Sequence, residues 1–226
     1  MEREEEQSYD FMDQPLSYEF SEIEIKNLKI AARKRPEFYG QEDLDENTKA
    51  FALKASSFVV SLVSFTGDSV LSQNCGAIIE TDGNTNIVIT SLNLTRQCDG
   101  VAKFGKNIMA DNLKVVVYAN DGNWYLGEVF CCDYFYNLAA LKFNSKTIFK
   151  PAKFCMIDDA GVPESDFLRR HSTKAKKGDT VIVVGRYFYE PNAYMAAPGV
   201  LSLDRFRPDK YDCNELLTIS SRFTRV

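Results

Sequence analysis

Twice in this chain an Asp-Gly pair separates two short runs of β-branched and apolar residues. Cys75 to Glu80 (CGAIIE) and Asn86 to Thr90 (NIVIT) flank Asp82-Gly83, and Leu113 to Ala119 (LKVVVYA) and Trp124 to Cys132 (WYLGEVFCC) flank Asp121-Gly122. An Asp-Gly pair supplies the positive φ that a tight hairpin turn requires, so each block predicts two antiparallel strands. Phe58 to Phe65 (FVVSLVSF) and Leu138 to Phe143 (LAALKF) bring the count to six strand-like runs within about 90 residues, with no helical period between them. Short strands at this density suit a small closed barrel, and the barrel is expected over residues 55–145.

Three further runs follow: Thr180 to Tyr187 (TVIVVGRY), about Tyr194 to Phe206 (YMAAPGVLSLDRF) and Glu215 to Phe223 (ELLTISSRF). They predict a second, incomplete β unit over residues 180–226, with an unpaired edge and with Val181, Val183, Leu201 and Leu217 on a partly covered face. Residues 146–179 are polar, contain Pro151, Pro163 and Arg169-Arg170-His171, and are expected to link the two units. Residues 1–50 are acidic and lack the period-2 pattern. There Ser21 and Glu24 stand at capping-box spacing, and Ile23, Leu28, Ile30 and Ala31 predict a short helix over about 21–34, ended by Pro36. The basic triplet Arg33-Lys34-Arg35 is read as the solvated end of that helix rather than as a nuclear address or phosphate site.

Composition narrows the function classes. With 226 residues, 45% hydrophobic and 12% aromatic, the chain can bury a substantial core. A net charge of −5 argues against general nucleic-acid binding. No apolar run reaches the roughly 20 residues of a membrane helix, and the Met1-Glu-Arg-Glu-Glu-Glu start is acidic where a secretory signal is basic and then apolar. An intracellular protein, cytoplasmic or nuclear, with reduced thiols is therefore expected. Six cysteines without C-x-x-C spacing and a single histidine supply no zinc ligand set, so neither metal nor cofactor is expected.

Four blocks, in order, resemble the trypsin-like proteases of the HtrA/Deg type. That family opens with a G-S-G-hydrophobic strand, a short turn and I-[VL]-T-x-x-H-V, which carries the catalytic histidine. This chain has Asn74-Cys75-Gly76-Ala77-Ile78-Ile79 and then Ile89-Thr90-Ser91-Leu92-Asn93-Leu94, with Asn93 at the histidine position. The family's D-[LI]-A-[VL]-[LI]-K, which holds the catalytic aspartate, is matched by Asn137-Leu138-Ala139-Ala140-Leu141-Lys142, with Asn137 at the aspartate position. Its G-D-x-V-x-x-[IV]-G strand is matched by Gly178 to Gly185. The nucleophile segment G-N-S-G-G-P has no match before Val226. The resemblance implies an all-β, chymotrypsin/trypsin-like double β-barrel, with a complete N-terminal barrel and a truncated C-terminal one.

It also implies a degenerate site. Serine proteolysis needs a base that titrates near neutral pH and a carboxylate to orient it. Asn93 can neither take nor return a proton, and Asn137 carries no charge. Replacement groups are hard to find. His171 lies in the polar linker and reads as a solvated loop residue. Cys98 and Cys213, the conceivable thiol nucleophiles, read as small core residues. Asp158-Asp159 reads as turn chemistry. The expectation is therefore a non-catalytic binding or regulatory homologue whose partner is a protein or peptide, an active relative included, and not nucleic acid or membrane. An active or noncanonical serine-type endopeptidase is the alternative.

Overall fold

The computed structural model describes residues 18–33, 45–96, 109–154, 156–157, 174–186, 194–202, 218–221 and 224–225. Six strands, β1 (Val59–Thr66), β2 (Ser69–Asp82), β3 (Thr85–Ser91), β4 (Leu113–Tyr118), β5 (Trp124–Asp133) and β6 (Leu138–Asn144), close into an antiparallel barrel in the order β1-β2-β3-β6-β5-β4. Closure comes from β1, which pairs with β2 on one edge and β4 on the other. Both Asp-Gly turns form as expected, with Gly83 at φ 57° and Gly122 at φ 85°.

The barrel interior is filled by Val60, Leu62, Ile78, Val88, Val115, Val117, Leu141 and Phe143. Gly76 on β2 faces this core. A Cβ there would stand 2.6 Å from Val88 Cγ1 and 2.9 Å from Leu62 Cδ1, so the strands meet only because the side chain is absent. At the second hairpin, Asp121 accepts hydrogen bonds from Thr147 Oγ1 (2.7 Å), Asn123 Nδ2 (3.1 Å) and the Tyr125 hydroxyl. Burial pushes the Asp121 pKa up, but these donors outweigh it and hold the carboxyl below its ordinary value. Burial and the same carboxylate push Tyr125 up to about 12.

Strand β1 is buried along nearly its whole length, Ser61 and Ser64 included. Its outer-facing Val63 and Phe65 join Val116, Leu28 and half-buried Tyr18, Phe20 and Trp124 in a second cluster. Helix α1 (Glu22–Arg33) forms this cover. The capping box is present: the Ser21 N–H donates to Glu24 Oε2 (2.8 Å) and the Glu24 N–H to Ser21 Oγ (3.2 Å). The packed face differs from the expected one. Ile23 and Ile30 point to solvent, whereas Glu24 and Leu28 are buried. The cause is a polar anchor: Glu24 pairs with Lys114 of β4 and accepts from the Tyr18 hydroxyl (2.8 Å). A helix with a satisfied inward carboxylate can leave isoleucines outside.

A second sheet is built on β10 (Tyr194–Ser202), with β9 (Thr180–Arg186) on one side and β11 (Thr218–Ser221) and β12 (Thr224–Arg225) on the other. Sequence reading missed helix α2 (Glu46–Ala55), which is N-capped by Asp45 and packs Ala52 against Ile182, Val184 and Ala196 of this sheet. One face is thus covered from the N-terminal side. On the opposite face Val181 and Val183 are half-buried, and Leu201 is buried. Leu217 lies outside the described residues. Within the expected linker, β7 (Met156–Ile157) and β8 (Lys174–Ala175) form a small parallel pair.

Candidate functional site

Strand β3 ends at Ser91 and runs into a 3-10 turn, Leu92–Leu94. Leu92 and Leu94 are buried and pull the turn onto the barrel, which leaves Asn93 between them facing solvent. The adjacent end of β6 begins one residue after Asn137, and Ser91 is in register with Leu138. Asn137 adopts φ 57°, a left-handed conformation that asparagine tolerates better than most residues. This turn directs its backbone carbonyl to the Leu92 N–H (2.9 Å) and its side-chain Nδ2 to Ser91 Oγ (3.1 Å). The same Ser91 oxygen accepts from the Asn93 N–H (3.3 Å).

Asn93 and Asn137 are therefore gathered at one end of the barrel around Ser91, which the sequence reading had not singled out. A serine one residue before a short turn is the signal that could have found it, since such hydroxyls cap turn N–H groups. Asn137 Oδ1 is buried and has no hydrogen-bond partner among the described residues. Neither amide titrates near neutral pH, and the Ser91 hydroxyl oxygen is occupied by two donors. This arrangement can donate and accept hydrogen bonds. It holds no group suited to moving a proton.

The remaining candidates divide in two. No disulfide joins Cys75, Cys131 or Cys132. Burial, and to a smaller extent neighbouring Cys131, push the Cys132 thiol up, the reverse of a reactive thiol. Cys98, Cys155, Cys213, His171, Asp158 and Asp159 lie outside the described residues, as do Lys34 and Arg35. Among the described residues no group of three or more His, Cys, Asp or Glu side chains is placed to hold a metal, and no helix is long and apolar enough to cross a membrane.

A second feature absent from the sequence reading joins the barrel to the second sheet. Arg186, the last residue of β9, is buried. Its guanidinium stacks 4.8 Å from the rings of both Tyr118 (β4) and Tyr194 (β10), donates to the Tyr194 hydroxyl and reaches the Val59 carbonyl oxygen at 3.5 Å. Its backbone N–H donates to Cys75 Sγ (3.2 Å), and that thiol donates back to the Arg186 carbonyl (3.3 Å). Burial lowers the Arg186 pKa, and the neighbouring Tyr194, Tyr118, Cys75 and Asp121 oppose the shift. Two tyrosine faces thus receive a cation that would otherwise be costly to bury.

A closed six-stranded barrel, followed by a second antiparallel sheet joined at its flank, is the architecture to compare with known proteins. The crystal structure of Deg5 superposes with a TM-score of 0.51, covering 80% of this chain and 77% of that one at 16% identity. The chain has a trypsin-like fold. No family model matches it, and no curated protein does either. At this identity the likeness to Deg5 extends to the fold, not to the activity.

Proposed function

We propose that this chain is a non-catalytic member of the trypsin-like HtrA/Deg group that acts by binding a protein or peptide. The observation that carries this reading is the pair Asn93 and Asn137, drawn together around Ser91 where the resemblance aligns them with the family's base and its orienting carboxylate. An asparagine at the base position cannot activate a hydroxyl, and one at the orienting position cannot stabilise an imidazolium. Losing single triad members already reduces turnover by orders of magnitude. The barrel that displays the site is retained with its core filled, so a shaped surface remains although the proton-transfer groups are gone.

The experiment is labelling of the purified chain with a fluorophosphonate probe at neutral pH, alongside an active trypsin-like protease. No labelling is expected under conditions that label the control to completion. Stoichiometric labelling of this chain, mapped to one serine, would overturn the reading in favour of an active endopeptidase.

A further inference from the structure

The loop that follows β6 is braced at several points. The Ser145 N–H donates to the Asn84 carbonyl (2.8 Å), Thr147 Oγ1 to Asp121 (2.7 Å) and the Ala152 N–H to the Ile78 carbonyl (2.7 Å). Phe149 is buried in the barrel core against Tyr125 and Phe143. Burial alternates here as it does along a strand, with Phe149 buried and Lys146, Ile148 and Lys150 exposed. Ile148 is 82% exposed, more than any other large apolar side chain among the described residues. Lys146, Lys150 and nearby Lys153 belong to neither ion pair of the described residues, Lys114–Glu24 and Lys142–Glu128. The exposed carboxylates of Glu80 and Asp82 on β2 are not paired with them either.

A face of this composition selects a segment with carboxylates around an apolar residue, and the chain itself contains one. Residues 1–17 carry six Asp or Glu and one Arg, a net −5 that equals the net charge of the whole chain. Among them Asp10-Phe11-Met12-Asp13 sets two apolar side chains between two carboxylates, the counterpart of Ile148 between Lys146 and Lys150. The other acidic stretch outside the described residues, 158–173, is only −2, because Arg169 and Arg170 offset two of its four carboxylates. Reach agrees with charge. The described chain begins at Tyr18, whose N–H donates to the Trp124 carbonyl (2.6 Å). Trp124 lies three residues from Asp121, and Asp121 accepts from Thr147, the residue between Lys146 and Ile148. Three residues span at most about 11 Å, and the eight from Tyr18 back to Asp10 at most about 29 Å. The tether from Asp13 to Tyr18 is short, which sets an effective concentration on the order of millimolar.

We propose that Asp10-Phe11-Met12-Asp13 docks on the Lys146–Ile148–Lys150 face of its own chain. The two carboxylates pair with the lysines, and Phe11 and Met12 cover Ile148. Exposed ion pairs are weak alone, so the apolar contact and the tether are both needed. The contact would fasten the N-terminal arm at a second place, beyond the Glu24–Lys114 pair. Asn137 precedes β6 and Ser145 follows it, so the contact lies at the opposite end of that strand from the Asn93–Asn137 site. It stands or falls independently of the proposed function.

The test is pulsed acetylation of lysines in the full chain at neutral pH, read peptide by peptide by mass spectrometry. Lys142, paired with Glu128, is the internal control. Asp10→Asn/Asp13→Asn should raise labelling of Lys146 and Lys150 about threefold and leave Lys142 unchanged. Phe11→Ser/Met12→Ser, which keeps every charge, should raise it as well, and so should Ile148→Ser from the other side of the contact. A melting temperature within a few degrees of the parent checks that each variant keeps its fold. Equal labelling in the parent and the N-terminal variants would overturn the proposal, whatever other segment covers the lysines. A rise confined to the Asp10→Asn/Asp13→Asn variant would also overturn it, since a long-range field explains that without contact. Protection that fades when the parent is diluted would overturn it too, by making a second copy the occupant. Fluorophosphonate labelling tests the proposed function separately and is expected to be unaffected by any of these variants.

Discussion

The barrel and the second sheet reach stability by different routes. In the barrel every strand finds a neighbour on both sides over part of its length, and the interior packs from all six strands. The second sheet is organised around β10 alone, and its buried contacts come largely from outside it: Ala52 of α2 on one face, and the Arg186 clasp to Tyr118, Val59 and Cys75 at its end. Closure makes a sheet largely self-sufficient, because most strand edges are paired within it. An open sheet depends on what is docked against it, and among the described residues helix α2 and the buried Arg186 cation do so.

Cutting into the barrel core should have the largest effect. Leu62 is fully buried at the barrel centre. Leu62→Ala should lower unfolding free energy by about 3 kcal/mol, read from the shift of the urea midpoint at constant slope. A loss under about 1 kcal/mol would deny the barrel its place as the stable region.

Breaking the joint should separate the two regions. Arg186→Ala removes the stacked cation and its hydrogen bonds to Val59 and Tyr194, at a cost of about 2 kcal/mol. The expected signature is regional: amides of β9 and β10 exchange faster, whereas those of β1 to β6 keep their protection. Uniform acceleration over both regions would contradict the division.

The N-terminal helix offers a gentler test on the barrel side. Burial raises the Glu24 pKa, but hydrogen bonds from Lys114, Ser21 and Tyr18 outweigh it, so the folded value lies below the ordinary 4.5. The stabilisation is therefore complete at neutral pH and is lost as the pH falls through that depressed value. Burial lowers the Lys114 pKa, but its bonds to Glu24 and Tyr18 raise it overall above 10.5, so the pair also fails as the pH rises through the folded lysine value. Trp124 reports on this region, since it is the only tryptophan and Phe20 packs against it at 4.9 Å. Its fluorescence should change in acid before global unfolding, and Glu24→Gln should produce the same change at neutral pH at a cost of about 1 kcal/mol. Coincident fluorescence and unfolding transitions in the parent chain would show that the helix is not separately docked.

Much of this architecture was legible in the sequence, for reasons that also explain the gaps. The six barrel strands are announced by local signals, Asp-Gly turns and β-branched runs, that need no tertiary context. The cap of α1 is likewise local. Its buried face is not, because Glu24 turns inward only when Lys114, 90 residues away, is there to meet it. Helix α2 was missed because ENTKAFALKA has a weak apolar stripe and is committed by packing on the second sheet rather than by its own pattern. Asn93 and Asn137 were singled out through motif order, which carries long-range information that propensity lacks. Ser91 and Arg186 were not, since an oxygen bridging two strand ends and a cation between two tyrosines are visible only once the strands are in place.

The central claim is that Asn93 and Asn137 occupy positions built for an imidazole and its carboxylate. Proton NMR titration of Asn93→His, with and without Asn137→Asp, tests it most directly, because the chain has only one native histidine to confuse the spectrum. The account predicts that the new imidazole titrates near its ordinary value of about 6.5 in the single variant. With the carboxylate restored beside it, its pKa should rise by about one unit or more. Identical titration curves in the two variants would mean that the positions do not face one another, and the reading of a degenerate protease site would fall.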